Sequence, residues 1–220
     1  MKKHILPVLA LLALSSCGYD NYDEPSSFLT GSVTYNDKAI KVGANENELE
    51  LWQDGYELGD KIDVYINQDG TYSANLFDGE YKLTRLSGAP WEDNTDTIKI
   101  TVKGNTVVDV PVAPYFLIDD ANFTVSDNKI TATFTVNQVS ASAALGNVSL
   151  FLGANYLTDS NNHAAEITMN TADVTLGSSV TISIDIPEDL SSLGSFFARV
   201  GVSSDKSSRY AYSTSEKITL

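Results

Sequence analysis

Residues 127–136 read Asp-Asn-Lys-Ile-Thr-Ala-Thr-Phe-Thr-Val. From Ile130 onward the apolar residues Ile130, Ala132, Phe134 and Val136 occupy every second position, with threonines between them. A period of two puts one row on each face of an extended strand, here an apolar row against a hydroxyl row. Asp127-Asn128, just upstream, is turn chemistry, because both residues tolerate positive φ. The same unit recurs along the chain. Ile62, Val64 and Ile66 alternate, as do Ile98, Ile100 and Val102, and then Val108, Val110 and Val112. Further on come Val148, Leu150 and Leu152, then Val180, Ile182, Ile184 and Ile186. Asp69-Gly70, Asp78-Gly79, Lys103-Gly104-Asn105 and Gly177-Ser178-Ser179 separate these runs. No window keeps helical periodicity over ten residues; Pro187–Leu193 is expected to form a single helical turn. Many short strands with regular turns predict an all-β protein built of β-sandwiches.

Pro111-Val112-Ala113-Pro114 marks a boundary, since two prolines in four residues stiffen the chain and remove two donors. The expected domains are 28–113 and 114–220, each the size of one sandwich. In the first, the blocks Leu29-Thr30-Gly31-Ser32-Val33, Asp69-Gly70-Thr71-Tyr72-Ser73-Ala74 and Asp78-Gly79-Glu80-Tyr81-Lys82-Leu83 resemble the prealbumin-like fold of carboxypeptidase regulatory domains. In the second, Phe196-Phe197-Ala198-Arg199-Val200-Gly201-Val202 and Tyr210-Ala211-Tyr212-Ser213 resemble the last two strands of an immunoglobulin/fibronectin type III-like sandwich. Some adhesin domains similar to the first fold form Lys–Asn crosslinks, but Phe28–Val33 contains no lysine to serve as nucleophile.

The start of the chain reads as a targeting segment, residues 1–16. Lys2 and Lys3 precede an apolar run, Ile5–Leu14. As a helix that run is too short to cross a bilayer core of ~30 Å, so it is a signal region and not a span. It ends in Leu14-Ser15-Ser16-Cys17, which resembles the bacterial lipobox. That resemblance implies cleavage before Cys17 and a lipid anchor on its thiol. Cys17 is the sole cysteine, so disulfides and thiol catalysis fall away with it. Residues 17–27 are polar and acidic and read as a tether. Its Asp20, Asp23 and Glu24 resemble the export signal of Bacteroidota surface lipoproteins, which implies the outer membrane, facing the exterior. The formal net charge of −15 excludes nucleic acid as a partner and gives no help against anionic headgroups.

The whole layout resembles a family of two-domain Bacteroidota lipoproteins found beside SusC/SusD-type glycan importers. The carrying residues are Cys17 with its acidic tail, Tyr22–Ser27, Glu50-Leu51-Trp52-Gln53-Asp54-Gly55-Tyr56, Pro90-Trp91 and Phe197–Val202, with the two Asp-Gly blocks above. The resemblance implies fold and setting: a lipid anchor in the membrane, and a SusC/SusD-type importer complex or a polysaccharide as partner. It carries no activity.

Nothing in the sequence assembles an enzyme. Once the signal is gone His163 is the one histidine, and it sits in a polar loop, Ser160-Asn161-Asn162-His163. No Gly-x-Ser-x-Gly elbow is present. Ser203-Ser204-Asp205-Lys206 and Ser126-Asp127-Asn128 match two motifs of penicillin-recognising enzymes, but in reversed order and without Lys-Thr-Gly. Paired carboxylates for glycoside hydrolysis need a sugar cleft with the acids about 5–9.5 Å apart, which small sandwiches rarely build. Asp93-Asn94-Thr95-Asp96 and Asp119-Asp120 lack the spacing of a calcium loop, so no metal and no cofactor is assigned.

What is left is surface chemistry. Aromatic rings stack on the C–H faces of sugars, and neighbouring acids accept hydroxyl hydrogen bonds. The glycan-contact candidates are Trp52, with Tyr56 beyond its Asp54-Gly55 turn, and Trp91 with Asp93 in an expected loop. Packing of either tryptophan inside or between the domains is the competing reading. Asp96-Thr97-Ile98 fits the O-glycosylation pattern of Bacteroidota surface proteins and marks Thr97 as an acceptor. The expected function is a non-enzymatic surface lipoprotein accessory to an outer-membrane glycan-uptake system. The alternative is a structural or adhesive surface protein working through protein–protein contacts.

Overall fold

The computed structural model describes residues 23–44, 46–55 and 60–220. Within them the chain is all-β, with two consecutive sheet domains. The first contains β1 (Ser27–Tyr35), β2 (Lys38–Ala39), β3 (Glu46–Trp52), β4 (Ile62–Ile66), β5 (Thr71–Leu76), β6 (Gly79–Arg85), β7 (Ile98–Val102), β8 (Asn105–Val107) and β9 (Val110–Pro111). Strands run in the order β2-β1-β5-β4-β3-β6-β7, and β8 and β9 lie parallel to β1. Lys103 and Gly104 link β7 directly to β8, which brings the far edge of the sheet back to β1 and wraps it around one core. Gly31 permits that closure. A Cβ there would lie 1.8 Å from the Val108 carbonyl oxygen, so no side chain fits between the parallel segments. Val64, Ile66, Ile100 and Val102 fill the core as the alternation predicts, together with Leu29, Leu49, Leu51 and Leu83.

Trp91 corrects the sequence reading. It is 1% exposed and packs in this core. The loop expected around it is pinned by a bridge from Trp91 to Pro114, with the Glu92 N–H donating to Ala113 O (2.9 Å) and the Tyr115 N–H donating to Pro90 O (3.1 Å). The segment between the domains is therefore stitched to the first domain along its length.

The second domain contains β10 (Phe116–Ser126), β11 (Lys129–Gln138), β12 (Leu145–Gly153), β13 (Ala165–Thr168), β14 (Ser179–Asp185), β15 (Ser195–Ser204), β16 (Ala211–Tyr212) and β17 (Glu216–Thr219). One sheet is β10-β11-β14; the other is β13-β12-β15-β16, with β17 also on β15. The run Ile130–Val136 is the central strand of the first of these sheets. Its four apolar residues are at most 1% exposed and share a core with Val148, Leu150, Phe196 and Val200 of the facing sheet. Asp127 and Asn128 both adopt positive φ, as a tight hairpin turn requires. A helical turn at Glu188–Ser191 falls where it was expected. Asp119-Asp120 does not interrupt its strand. It lies inside β10 at a register shift, with Asp120 at φ 53° and Asp119 accepting from Asn137 Nδ2 at 2.7 Å. A bulge absorbs the extra residues without ending the strand.

The domains meet across a buried polar junction. Arg199 of β15 is 1% exposed. Its Nε donates to Ser213 O (3.0 Å), Nη1 to Gln68 Oε1 (3.2 Å) and Nη2 to Gln68 O (3.0 Å), and the guanidinium lies 4.2 Å over the Tyr212 ring. Burial pushes its pKa down to about 10, and Tyr212, Asp159 and Glu46 oppose that shift. Glu48 of β3 is fully buried and pairs with Arg209 of the second domain. The Ala44 N–H donates to Asp159 Oδ2 (2.8 Å), and the Tyr212 N–H to Lys41 O (2.9 Å). Phe151, Tyr210 and Tyr212 form an aromatic cluster here, with Phe151 and Tyr210 edge to face at 5.6 Å. Farther along the junction, Ser140 and Ser142 hydrogen-bond Glu92 and hold its carboxyl below the usual range.

Candidate functional site

The outer face of β3, β4, β6 and β7 carries the Trp52 candidate. Leu49 and Leu51 point into the core, so Glu50 and Trp52 take the opposite face. Register places Trp52 across from Lys82 of β6, and Lys82 across from Lys99 of β7. Continuing the β3–β4 register puts Lys61 on the other flank of Trp52. Trp52 is 37% exposed and lies between the strand positions of Lys61 and Lys82, whose ammonium groups are themselves paired. Lys82 meets Asp54 at 2.7 Å. Lys61 meets Asp63 at 3.1 Å and also pairs with Glu50, which raises its pKa. Beside them Glu80, Lys82 and Lys99 border a shallow depression, where the Thr101 hydroxyl donates to Glu80 at 2.8 Å. Tyr65, 55% exposed, sits four residues from Lys61 on the same face, about 13 Å along the strand direction.

This face presents a flat aromatic surface inside alternating hydrogen-bond donors and acceptors. Fixed ion pairs keep the donors in place while cancelling most of their charge. Such a surface can stack the apolar face of a sugar ring and bind its hydroxyls. Among the described residues no group of three or more His, Cys, Asp or Glu suited to a metal occurs.

The other candidates do not gather around it. Trp91 is withdrawn from the list by its burial, since a ring with no exposed face cannot stack on a ligand. Asp93 is exposed and accepts the Gly88 N–H at 3.2 Å; it lies at the edge of a depression with Arg85 and Asn94, away from the Trp52 face. Thr97 is exposed, next to Asp96 whose carbonyl accepts from Arg85 Nη2 at 3.1 Å. Cys17 and Tyr56 lie outside the described residues. Sequence reasoning missed Lys61 and Lys82 as the cross-strand neighbours of Trp52, and Lys99 and Tyr65 farther out on the same face. Their alternation marked them as outward-facing, but the strand order that brings them to one face is a tertiary fact. Among the described residues no helix is long and apolar enough to cross a membrane.

Residues 27–113 match the N-terminal domain model described as protein of unknown function DUF3823, and residues 116–217 match the model of the DUF3823 C-terminal domain. The chain belongs to the DUF3823 family. A DUF3823 protein of Bacteroides ovatus is 48% identical, with a TM-score of 0.83 over 88% of this chain and 99% of that one. A DUF3823 protein of Parabacteroides merdae is 34% identical, with a TM-score of 0.81 over 90% of this chain and 100% of the other. A third structure, from Bacteroides uniformis and provisionally named as carbohydrate binding, shares the fold at 20% identity, with a TM-score of 0.72 over 89% of this chain and 100% of its own. Curated proteins give no match.

Proposed function

We propose that this DUF3823 chain is a non-enzymatic, lipid-anchored surface protein that binds glycan for an outer-membrane uptake system. The observation that carries the reading is the half-exposed Trp52 on a flat sheet face, framed by the paired Lys61 and Lys82. The provisional name of the Bacteroides uniformis relative points the same way, and the sequence at Cys17 and the acidic tether supplies the setting. Trp52 is the exposed member of the two tryptophans, so fluorescence quenching by acrylamide reports on this face. A bound polysaccharide shields Trp52 and lowers the quenching constant, and Trp52→Ala abolishes the quenchable emission and weakens the retardation in glycan-containing native gels. Unchanged quenching and unchanged mobility across a polysaccharide panel would refute the binding claim.

A second reading, a rigid spacer making protein contacts, draws on the locked junction around Arg199. Capture of an importer subunit from detergent extracts supports the uptake role; capture of a host or neighbouring-cell protein in its place supports the spacer.

A further inference from the structure

A separate cleft opens where the β4–β5 turn of the first domain faces the loop between β12 and β13 of the second. It has a volume of about 230 Å³ and is lined by Ala44, Asn67, Gln68, Asp69, Tyr156 and Leu157. The loop on its second wall inverts the usual arrangement. Thr158 and Asp159, its polar residues, are 0% and 2% exposed, while Tyr156 and Leu157 are 47% and 44% exposed. A mobile loop could show this by accident, but this one is held at many points. Asn155 Oδ1 accepts the Leu157 N–H (2.9 Å), and Asn162 Nδ2 donates to Leu157 O (2.9 Å). Asp159 accepts the N–H groups of Asn161 (2.8 Å), Asn162 (2.9 Å) and Ala44 (2.8 Å). Gln68 Nε2 donates to Tyr156 O at 2.7 Å, and Gln68 is itself clamped by the buried Arg199.

The Tyr156 ring is propped edge-on by Phe197, with centroids 6.1 Å apart at 81°, and stands at the cleft with solvent beside it. On the opposite wall, Asn67 and Asp69 are exposed. Asp69 is fixed by the Thr71 N–H (3.0 Å) and hydroxyl (2.7 Å). Burial opposes its ionisation, but the hydrogen bonds from Thr71 outweigh it and hold the carboxyl below its usual range. A rigid aromatic ring facing an amide and an ionised carboxylate is a preorganised arrangement for one kind of ligand, a ring with an apolar face and hydroxyls on its rim.

We propose that this cleft binds a neutral pyranose ring, stacked on Tyr156 with its hydroxyls on Asp69 and Asn67. The anionic Asp69 disfavours uronates and sulfated sugars at the same place. The inference shares with the proposed function only the ligand class; its residues are distinct from the Trp52 face.

Native gels containing galactomannan or mixed-linkage β-glucan as neutral probes, and homogalacturonan as the acidic probe, test it on the full chain. Wild type is retarded by a neutral probe and not by homogalacturonan. Tyr156→Ala weakens apparent affinity for that neutral probe about tenfold or more, the scale of losing a well-packed aromatic contact, while Tyr156→Phe keeps it. Asp69→Asn weakens neutral binding and admits homogalacturonan. Retardation remaining in Trp52→Ala is removed by adding Tyr156→Ala. An unchanged melting temperature for Tyr156→Ala shows that the fold is intact. The inference is overturned if Tyr156→Ala is retarded like wild type, or if no neutral probe retards wild type. Binding lost in Trp52→Ala alone would overturn it while leaving the Trp52 reading standing; binding lost in Tyr156→Ala alone would do the reverse.

Discussion

Replacing Arg199 with methionine keeps a long, flexible, apolar stem in the junction but removes every donor. Three acceptors lose a partner: Ser213 O, Gln68 O and Gln68 Oε1. Gln68 and Ser213 are 4% and 5% exposed, so water does not readily take the place of the guanidinium. Each buried acceptor left without a donor costs roughly 1–3 kcal/mol, and a turn of the Gln68 amide recovers part of that. The expected loss is about 3–5 kcal/mol, the lower part of the range for three such acceptors. With a urea m-value of ~2 kcal/mol/M, the midpoint falls by about 1.5–2.5 M. The chain provides a built-in reporter. Both tryptophans, Trp52 and Trp91, lie in the first domain, so tryptophan emission follows that domain alone while far-UV circular dichroism follows both. In wild type the two urea curves coincide, because the junction couples the domains. In Arg199→Met they separate. Arg199→Lys is expected to behave like the methionine variant in kind, since one ammonium cannot reach Ser213 and both Gln68 oxygens as the planar fork does. Coincident curves in Arg199→Met, with a loss under ~1 kcal/mol, would refute the idea that this cation holds the junction.

The two tryptophans should part company under mutation: Trp91→Ala costs ~3–5 kcal/mol in urea unfolding, whereas Trp52→Ala costs clearly less and acts on glycan retention. Glu46 is expected to give a pH signature. Burial raises its pKa above 4.5, against the pull of Arg209, so the folded state holds this proton more tightly than the unfolded chain. Its contribution to stability is fully present below pH 4.5 and is lost as pH rises through the folded value. Glu46→Gln should therefore melt like wild type near about pH 4 and increasingly above it toward neutrality; a pH-independent difference would contradict this. Gly31→Ala should cost about 3 kcal/mol or more, the upper range for over-packing, because the added methyl meets the Val108 carbonyl. A wild-type urea midpoint for that variant would mean that β1 and β8 can separate freely.

Strand identity was readable from the sequence wherever one face is core and the other is water. Ile130–Val136 and Ile98–Val102 show this, because the period of two reports burial directly. The reading failed where a second domain covers the outward face. In Phe196–Val202 the even positions Phe196, Ala198, Val200 and Val202 face the core, and nothing in the alternation marks Arg199 between them as buried. The first domain covers that position. One local signal was available: Gly201, on the same row, where a Cβ would come within 3 Å of the rings of Tyr210 and Tyr212. Glu48 is likewise unmarked, an acid in an acidic strand whose partner Arg209 lies far along the chain. Trp91 was placed in a loop because Pro90 and Asp93 flank it, and its bridge to Pro114 has no trace in local composition. The Trp52 face was half legible. Alternation put Trp52 outside, but the order β4-β3-β6-β7 that surrounds it with lysines was not written in any one segment.

The pairing of Glu48 with Arg209 bears on how such a chain can change over evolutionary time. A gene fragment ending after Ala113 would leave Glu48 without its cation, and the complementary fragment would present Arg199 and the Phe151–Tyr210–Tyr212 cluster to water. Each half would be left with an interface suited to its partner alone. Recombination that moves either half into another protein therefore carries a solubility penalty, whereas duplication or transfer of the whole unit does not. The two halves are expected to be inherited together, with the junction residues drifting in step and the exposed faces at Trp52 and Tyr156 free to vary with whatever they meet.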